Sequence, residues 1–313
     1  MPNLELDSLN ISVLKALEFF RHNKIPHLDL KKYPFPLVVG SGNAFNAGHA
    51  LFSQQKAIFA SESNFQTVLT RYKDLIKNKT ISHGIIISAS GEKDSVWEIK
   101  AAHKAGLKTV LLTCSADSSA AKIADEVQVF PKLTEPYTYN VSTYLGLFLA
   151  ADNKKAEKIE KFILSLKLPK NFRKYPAYSF ILPDDWAAIA PMLEIKKSEL
   201  FGPNLSLRAF SFGESRHAKF VIRSKNELVI SFGKNKYFGD PKHRLELIPP
   251  KDASKAWAMA VSYFLIGLIQ DSKPDYYRQN IKKFCTDYGY KAYPGSKPFP
   301  VLVPGSKMDH KQK

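Results

Sequence analysis

The stretch His83-Gly84-Ile85-Ile86-Ile87-Ser88-Ala89-Ser90-Gly91-Glu92-Lys93-Asp94-Ser95 decides the fold. It opens with a short apolar run rich in β-branched residues, which is typical of a strand buried on both faces of a parallel sheet. Serines and a glycine follow, and a helical pattern then extends over residues 95–105. A buried strand, a turn of small residues and a helix form the repeating unit of α/β domains. We therefore expect further copies of this unit along the chain.

The first half of the chain contains four more apolar runs that fit buried strands. They are residues 36–40, 57–60, 108–113 and 126–130, and helical patterns cover 42–52, a stretch ending near 77, 95–105 and 120–124. Five strands with helices between them predict a doubly wound parallel sheet. Residues 139–167 predict one or two closing helices.

A second alternation of strands and helices follows. Its strands are expected near residues 178–182, 207–210, 228–232 and 245–248, and its helices from a cap at Asp184-Asp185 to about 201, over 253–269 and over 275–285. Pro169 and Pro176 mark residues 168–176 as a linker. We therefore predict an α/β protein with two tandem doubly wound, three-layer domains. The first covers residues 1–167 with an N-terminal helix, and the second covers 177–313 with C-terminal helices and a basic tail.

Composition narrows the possible functions. The 313 residues include only two cysteines, Cys114 and Cys285, which lack the spacing of metal ligands, so no metal is expected. No apolar run reaches the roughly 18 residues of a spanning helix, and no signal-peptide pattern opens the chain, so we expect a cytoplasmic protein without a membrane partner. The net charge of +17 favours anionic ligands. Because the basic residues are spread along the chain, a nucleic-acid binder is less favoured than a binder of small anions.

Two loops of the first half are suited to an anion, because ligands of open α/β sheets bind at the carboxyl ends of strands. Gly40-Ser41-Gly42-Asn43 follows the first strand, and its small residues allow a phosphate to approach the backbone. It also fits an ordinary turn between strand and helix. The second loop offers the hydroxyls of Ser88, Ser90 and Ser95 and the charge of Lys93 at a helix N-terminus. An N-capping role for Ser90 or Asp94 is an equal alternative.

The second loop resembles the SxSGxT phosphate-binding signature of sugar isomerase (SIS) domains. Ala60-Ser61-Glu62-Ser63 is similar to the ASE stretch of the isomerase domain of glutamine–fructose-6-phosphate transaminase. Residues 118–125 resemble the S-x-L-A-x-x-A-D turn of the family, with Ala120 in place of leucine. Glu135 with Val141-Ser142-Thr143 is similar to the family's E…S-T segment.

The second half of the chain continues the resemblance. Residues 196–220, which include Glu199, Gly213 and His217, resemble the catalytic helix and the R-H-G-P-K-F stretch of ketose/aldose-phosphate isomerases and aminosugar-phosphate deaminases. Residues 278–283 resemble the R-N-L-A-K segment that supplies an active-site lysine. The motifs span nearly the whole chain, and they occur in the order of the family.

The resemblance implies an enzyme that interconverts aldose and ketose forms of a hexose or aminohexose 6-phosphate, or that deaminates while isomerising. It implies three catalytic residues. Glu199 would transfer the proton between C1 and C2, and His217 would assist ring opening. Lys283 would contact the substrate oxygen or form an imine. The phosphate ligands would be Ser41, Ser88, Ser90, Lys93 and Ser95, and the remaining cleft residues would be Gly40, Gly42, Asn43, Glu135 and Ser142. It implies a homodimer in which the histidine of one subunit completes the site of its neighbour, with a phosphorylated sugar as substrate and no cofactor.

Three departures from the family pattern leave an alternative open. Lys93 stands where the family has threonine, Ala218 replaces the Gly-Pro after His217, and Gly202-Pro203 must end the helix of Glu199 early. A protein that binds a sugar phosphate and has lost catalysis, a sensor, is therefore the second hypothesis. The isomerase predicts that Glu199 and His217 meet the serines in one cleft, and the sensor predicts a displaced Glu199.

Overall fold

The computed structural model describes residues 6–280, except residues 93 and 137. These residues form two compact units. The first comprises residues 22–132 and 143–154 and is called the five-strand unit; the second, the four-strand unit, takes in 6–21, 133–142 and the described residues from 155 onward. That the first domain ends at residue 167 and the second begins at residue 177 stays a prediction.

Residues 276–280, within the helix predicted over 275–285, are helical, and ten further α-helices are present in the described part of the chain. They are α1 (Leu9–His22), α2 (Asn43–Phe52), α3 (Phe65–Arg71), α4 (Lys73–Lys77), α5 (Asp94–Ala105), α6 (Val141–Asp152), α7 (Ala156–Leu164), α8 (Ala190–Phe201), α9 (Phe212–His217) and α10 (Lys255–Gln270). Short 3-10 helices occur at Leu30–Lys32, Phe172–Lys174, Asp184–Ile189, Gly202–Asn204 and Pro241–His243. None of the described helices has the length and apolarity needed to cross a membrane.

The five-strand unit is built on a parallel sheet. Its strands are β1 (Leu37–Gly40), β2 (Ile58–Ser61), β3 (His83–Ile87), β4 (Lys108–Thr113) and β5 (Glu126–Val129). They lie in the order β2-β1-β3-β4-β5, so the chain reverses its direction of growth across the sheet between β1 and β3. Such a reversal leaves a crevice at the carboxyl ends of the two strands.

The four-strand unit repeats this order with one strand fewer. Its strands are β6 (Ala177–Leu182), β7 (Ser206–Ser211), β8 (Glu227–Phe232) and β9 (Arg244–Leu247). They are parallel and lie in the order β7-β6-β8-β9, which places the reversal between β6 and β8. The predicted α/β class with two parallel sheets is therefore confirmed.

Burial of the strands and close packing of the helices account for the two cores. In β1 and β3 every residue except His83 is buried, as expected for strands covered on both faces. On α2, a Cβ at Gly48 would lie 2.9 Å from atoms of Val38 and Ile87, so glycine lets this helix pack closely on the sheet. In the four-strand unit, a Cβ at Gly267 of α10 would overlap the backbone nitrogen of Asn10 in α1, and Gln270 Oε1 accepts a hydrogen bond of 2.9 Å from the Leu9 backbone nitrogen.

Some local predictions were wrong. The expected helix over residues 120–124 is a series of turns. Asp184 and Asp185 do not cap α8, because they lie in a 3-10 helix and α8 begins only at Ala190. The side chain of Asp184 instead accepts a 2.8 Å hydrogen bond from the backbone nitrogen of Gly213. The sequence patterns also missed the short helix α9.

Candidate functional site

The reversal between β1 and β3 brings the two predicted anion loops together. Gly40 is the last residue of β1 and pairs in register with Ile87, the last residue of β3, so the following residues leave the same edge of the sheet. Ser41 Oγ then donates a hydrogen bond of 3.3 Å to Asp94 Oδ2, at the start of α5. The structure thus joins the first loop directly to the end of the second.

The second loop, residues 88–95, is called the serine loop below. Its shape is fixed by its own hydroxyls, since Ser88 Oγ accepts a 3.1 Å hydrogen bond from the nitrogen of Gly91 and Ser90 Oγ accepts one of 3.3 Å from that of Glu92. In both bonds the hydroxyl is the acceptor, so its proton can still be donated to an anion. Ser95 is fully buried and donates to the carbonyl of Glu92 at 2.8 Å.

Gly91 is required by the conformation of this loop. Its φ of +63° lies in the left-handed region, and a Cβ there would overlap the side chain of Ser118. The turn after β4 supports the same loop, because the nitrogens of Ala120 and Ser119 donate 2.9 Å hydrogen bonds to the Gly91 carbonyl and to Glu92 Oε1. The turn over residues 118–120 therefore holds the loop in place.

The first loop depends on its glycines for a close approach of strand and helix. A Cβ at Gly40 would lie 2.9 Å from the backbone of Ala44 and Phe45. Gly42 precedes α2 with a φ of +54°, and the space around its Cα is open. The buried Asn43 accepts a 3.4 Å hydrogen bond from Asn46, one turn along the helix.

Sequence reasoning missed a carboxyl group beside these loops. Glu98 lies one helical turn after Asp94, is 1% exposed, and its Oε1 has no hydrogen-bond partner among the described residues. Burial raises the pKa of Glu98 to about 8, and the negative charges of Asp94 and Glu62 act in the same direction. Glu98 is therefore mostly protonated at neutral pH. Its helical spacing from Asp94 was the only sequence signal.

Glu135 and Ser142, predicted in the substrate cleft, lie in the four-strand unit at the start of α6. The Glu135 carboxylate accepts hydrogen bonds from the backbone nitrogens of Val141 (3.0 Å) and Ser142 (2.7 Å) and from the Ser142 hydroxyl. Ser142 Oγ in turn accepts from the nitrogen of Leu133 at 3.0 Å. These contacts cap a helix N-terminus, and a role in substrate binding stays a prediction.

Glu199 lies on α8 in an ion pair with a buried lysine. Its Oε2 is 2.6 Å from Lys196 Nζ, and the Lys196 side chain is 1% exposed while that of Glu199 is 28% exposed. Lys196 also donates to the carbonyl of Thr138 and lies 5.7 Å from the ring centroid of Tyr263. Burial raises the pKa of Glu199, and the charge of Lys196 opposes that rise. As predicted, α8 ends soon after Glu199, at Phe201, and Gly202 follows it with a φ of +52°.

His217 is the last residue of α9 and is exposed to solvent. That helix begins with a capping box, in which the Ser211 hydroxyl accepts from the nitrogen of Glu214 and the Glu214 carboxylate accepts from that of Ser211. Within the described part of the chain, no hydrogen bond or ion pair connects Glu199 to His217. Lys93 and Lys283 lie outside the described residues.

Comparisons with known proteins begin with two negative results: no family model and no curated protein matches this sequence. Solved structures do match. A glucosamine-6-phosphate deaminase from Thermotoga maritima is 16% identical with a TM-score of 0.58, and covers 84% of this chain and 94% of its own. The C-terminal domain of a glucosamine-fructose-6-phosphate aminotransferase from Francisella tularensis is 14% identical with a TM-score of 0.57, covering 85% and 96%.

A tagatose-6-phosphate ketose/aldose isomerase from Escherichia coli is 13% identical with a TM-score of 0.50, and covers 84% of this chain and 86% of its own. The chain shares the fold of these proteins. At such low identity the similarity concerns the path of the backbone and does not transfer the reaction. In the described residues, no group of three or more His, Cys, Asp or Glu side chains is arranged to hold a metal ion.

The buried Glu98 predicts a pH dependence of stability. Because its pKa is raised from 4.5 to about 8 by folding, the folded state binds more protons between these values, and stability falls as pH rises from about 5 to 8. Glu98→Gln should remove that fall, so its advantage over the parent should grow by roughly 2–4 kcal/mol across this range. Urea unfolding at several pH values measures the free energy of unfolding of both proteins.

The exposed Asp117 supplies the control, since Asp117→Asn makes the same chemical change on the surface of the five-strand unit. The free energy of unfolding of that variant should fall with pH as steeply as that of the parent protein. An unchanged slope in Glu98→Gln would show that Glu98 titrates normally in the folded chain.

Proposed function

We propose that this protein binds a phosphorylated sugar through its serine loop and isomerises it between aldose and ketose forms. The observation that carries the proposal is the pair of hydroxyls on Ser88 and Ser90, ordered by their own loop at the N-terminus of α5. Helix N-termini attract anions through their dipole, and hydroxyls add donors for phosphate oxygens. The shared fold with three proteins that are named for sugar-phosphate reactions supports the same substrate class.

Glu199 is the proposed base. Aldose–ketose isomerisation moves a proton between C1 and C2, and an ionised carboxylate whose pKa is raised toward neutrality is suited to remove it. Burial raises the pKa of Glu199 toward that range, while Lys196 keeps the carboxylate charged. His217 would assist ring opening, since an imidazole can carry a proton at neutral pH. Lys283 would contact the substrate oxygen or form an imine.

A sensor without catalysis is the second candidate, and two contacts favour it. Lys196 holds Glu199 Oε2 at 2.6 Å, and its charge lowers the pKa of Glu199, which weakens the carboxylate as a base. Asp94 holds the Ser41 hydroxyl and places a negative charge beside the proposed phosphate site.

The homodimer is also proposed, on the basis of an apolar patch near His217. Val221, Ile222 and Tyr237 are exposed, and Ile222 reaches 74%. Their segments are neighbours, because the nitrogen of Gly239 donates a 3.0 Å hydrogen bond to the carbonyl of Phe220. Apolar side chains exposed together are typical of contact surfaces.

Glu199→Gln tests catalysis separately from binding. The purified protein is incubated with the 6-phosphates of fructose, glucose, mannose, glucosamine and galactosamine, and both thermal stabilisation and interconversion are measured. We expect stabilisation by at least one of them in the parent and the variant, with turnover reduced about 1,000-fold or more in the variant, because the base is lost. Glu194→Gln, on the same helix, is the matched control.

Stabilisation without turnover in the parent protein would replace the isomerase by the sensor. Stabilisation by none of the five sugars would contradict the phosphate site on which both functions depend.

Asp94→Asn should strengthen phosphosugar binding. Removal of the carboxylate charge ends its repulsion of a phosphate and loosens its hold on Ser41, and we expect about tenfold tighter binding, equivalent to about 1.4 kcal/mol. Calorimetric titration with whichever sugar stabilises the parent measures the change. Asp117→Asn is again the control for charge alone, and equal gains in both variants would mean that the phosphate does not bind beside Asp94.

Ile222→Asp should convert dimers into monomers, because a buried carboxylate would destabilise the proposed contact. Light scattering after size-exclusion chromatography reports the mass. Ile248→Asp alters another exposed isoleucine of the same unit and should leave the dimer intact. A parent protein that is monomeric at all concentrations would refute the dimer itself.

A further inference from the structure

The five-strand unit has an open polar pocket at the edge of the sheet opposite the serine loop. His83 is the first residue of β3 and pairs in register with Lys108, the first residue of β4. The serine loop follows the other end of β3, so about 16 Å of strand separates the two places. An anion at one place would not touch the ligands of the other.

This cavity, called the lysine pocket here, has a volume of about 600 Å³. That volume falls within the range of pockets that hold small molecules. Its lining consists of Lys79, Ser82, His83, His103, Gly106, Leu107, Lys108 and Asp125. Most of these residues carry polar side chains, and two of them carry a fixed positive charge.

The two lysines differ in how they are held. Lys79 has a φ of 64°, in the left-handed region, and its Nζ donates a 2.9 Å hydrogen bond to the carbonyl of Gly106 across the pocket. Lys108 is exposed, and its side chain makes no hydrogen bond or ion pair with the described residues. Its charge nevertheless reaches into the pocket, because it is the second cause, after burial, that lowers the pKa of His83.

The carboxylate in the pocket, that of Asp125, already accepts hydrogen bonds from neighbouring groups. Asp125 Oδ2 accepts hydrogen bonds from the Thr109 nitrogen (2.7 Å), from the Thr109 hydroxyl (2.9 Å) and from His103 Nε2 (2.9 Å). The backbone hydrogen bond from Thr109 is the main reason that the pKa of Asp125 is lowered. A charge held by three donors is a weak competitor for Lys108.

Two contacts hold the imidazole ring of His83 in place. Its Nδ1 is 2.9 Å from the Ser82 hydroxyl, and its ring meets the edge of Tyr33 with 5.3 Å between the centroids. The nearby charge of Lys32 is taken up by Glu126, 2.8 Å away, so Lys32 does not replace Lys108 as a partner for a ligand.

We propose that the lysine pocket is a second anion site, which binds the phosphate group of a small molecule through Lys108 and Lys79, with His83, His103 and Ser82 as further polar contacts. The proposal is independent of catalysis. The ligand at this amino edge of the sheet is distinct from the one proposed at the serine loop.

Inorganic phosphate is the probe, added to the full chain labelled with 13C-histidine at constant ionic strength and pH, with chloride as the reference salt. NMR signals of His83 and His103, assigned through His83→Gln and His103→Gln, should shift and saturate with phosphate and not with chloride. Lys108→Gln should weaken this binding about fivefold, equivalent to about 1 kcal/mol. Lys100→Gln removes an exposed charge of α5 outside the pocket and should leave the affinity unchanged.

Two further variants complete the test. Ser90→Ala should leave the histidine shifts unchanged, whether or not it abolishes phosphosugar binding at the serine loop. Lys79→Gly suits the left-handed backbone and should weaken phosphate binding, which keeps the test valid should Lys108→Gln fold poorly. The proposal is overturned by shifts that do not saturate, by equal losses in Lys108→Gln and Lys100→Gln, or by shifts that only Ser90→Ala abolishes.

Discussion

The hydrogen-bonded pairing of β1 with both β2 and β3 is the constraint on which the proposed phosphate site depends. Because β1 lies between them, the chain must cross from β2 over β1 to reach β3, and the residues after Gly40 and Ile87 emerge side by side. The contact between Ser41 and Asp94 follows from this register. A shift of one residue in β3 would turn its buried side chains to the opposite face of the sheet and would move the serine loop away from Ser41.

The loops at this edge combine opposite electrostatic tendencies. The dipole of α5 and the serine hydroxyls favour an anion, whereas Asp94 lies in the first turn of the same helix and stabilises that N-terminus itself. Glu98 would add a further negative charge to those of Asp94 and Glu92 if it were ionised. Its burial prevents this at neutral pH, since an uncharged carboxyl is easier to keep away from water. The site can therefore accept a phosphate only if the two carboxylates of the loop, Asp94 and Glu92, are outweighed by the donors around it.

Sequence patterns predicted the fold well because the central strands of both sheets are short, apolar and buried, as in residues 83–87 and 228–232. They failed where tertiary contacts replace local rules. Asp184 has the side chain and the position of a helix cap, yet it accepts from Gly213, which is distant in sequence. For the site, the pattern found the serine loop but not Glu98, since a glutamate on a helix gives no sign of its burial. The lysine pocket was missed because its residues come from separate segments that only the register of β3 and β4 unites.

The pairing of Glu199 with Lys196 is the feature that most constrains any reaction in the four-strand unit. Lys196 is fully buried, and a buried ammonium group is strongly destabilising without partners. It has two acceptors, the carboxylate of Glu199 and the carbonyl of Thr138, and the ring of Tyr263 lies near. If Glu199 accepted a proton from a substrate, Lys196 would lose its only charged acceptor within the described residues. The lysine therefore favours the ionised carboxylate of Glu199 and disfavours its protonated form, so in the proposed isomerisation a proton taken up by Glu199 would be readily released again.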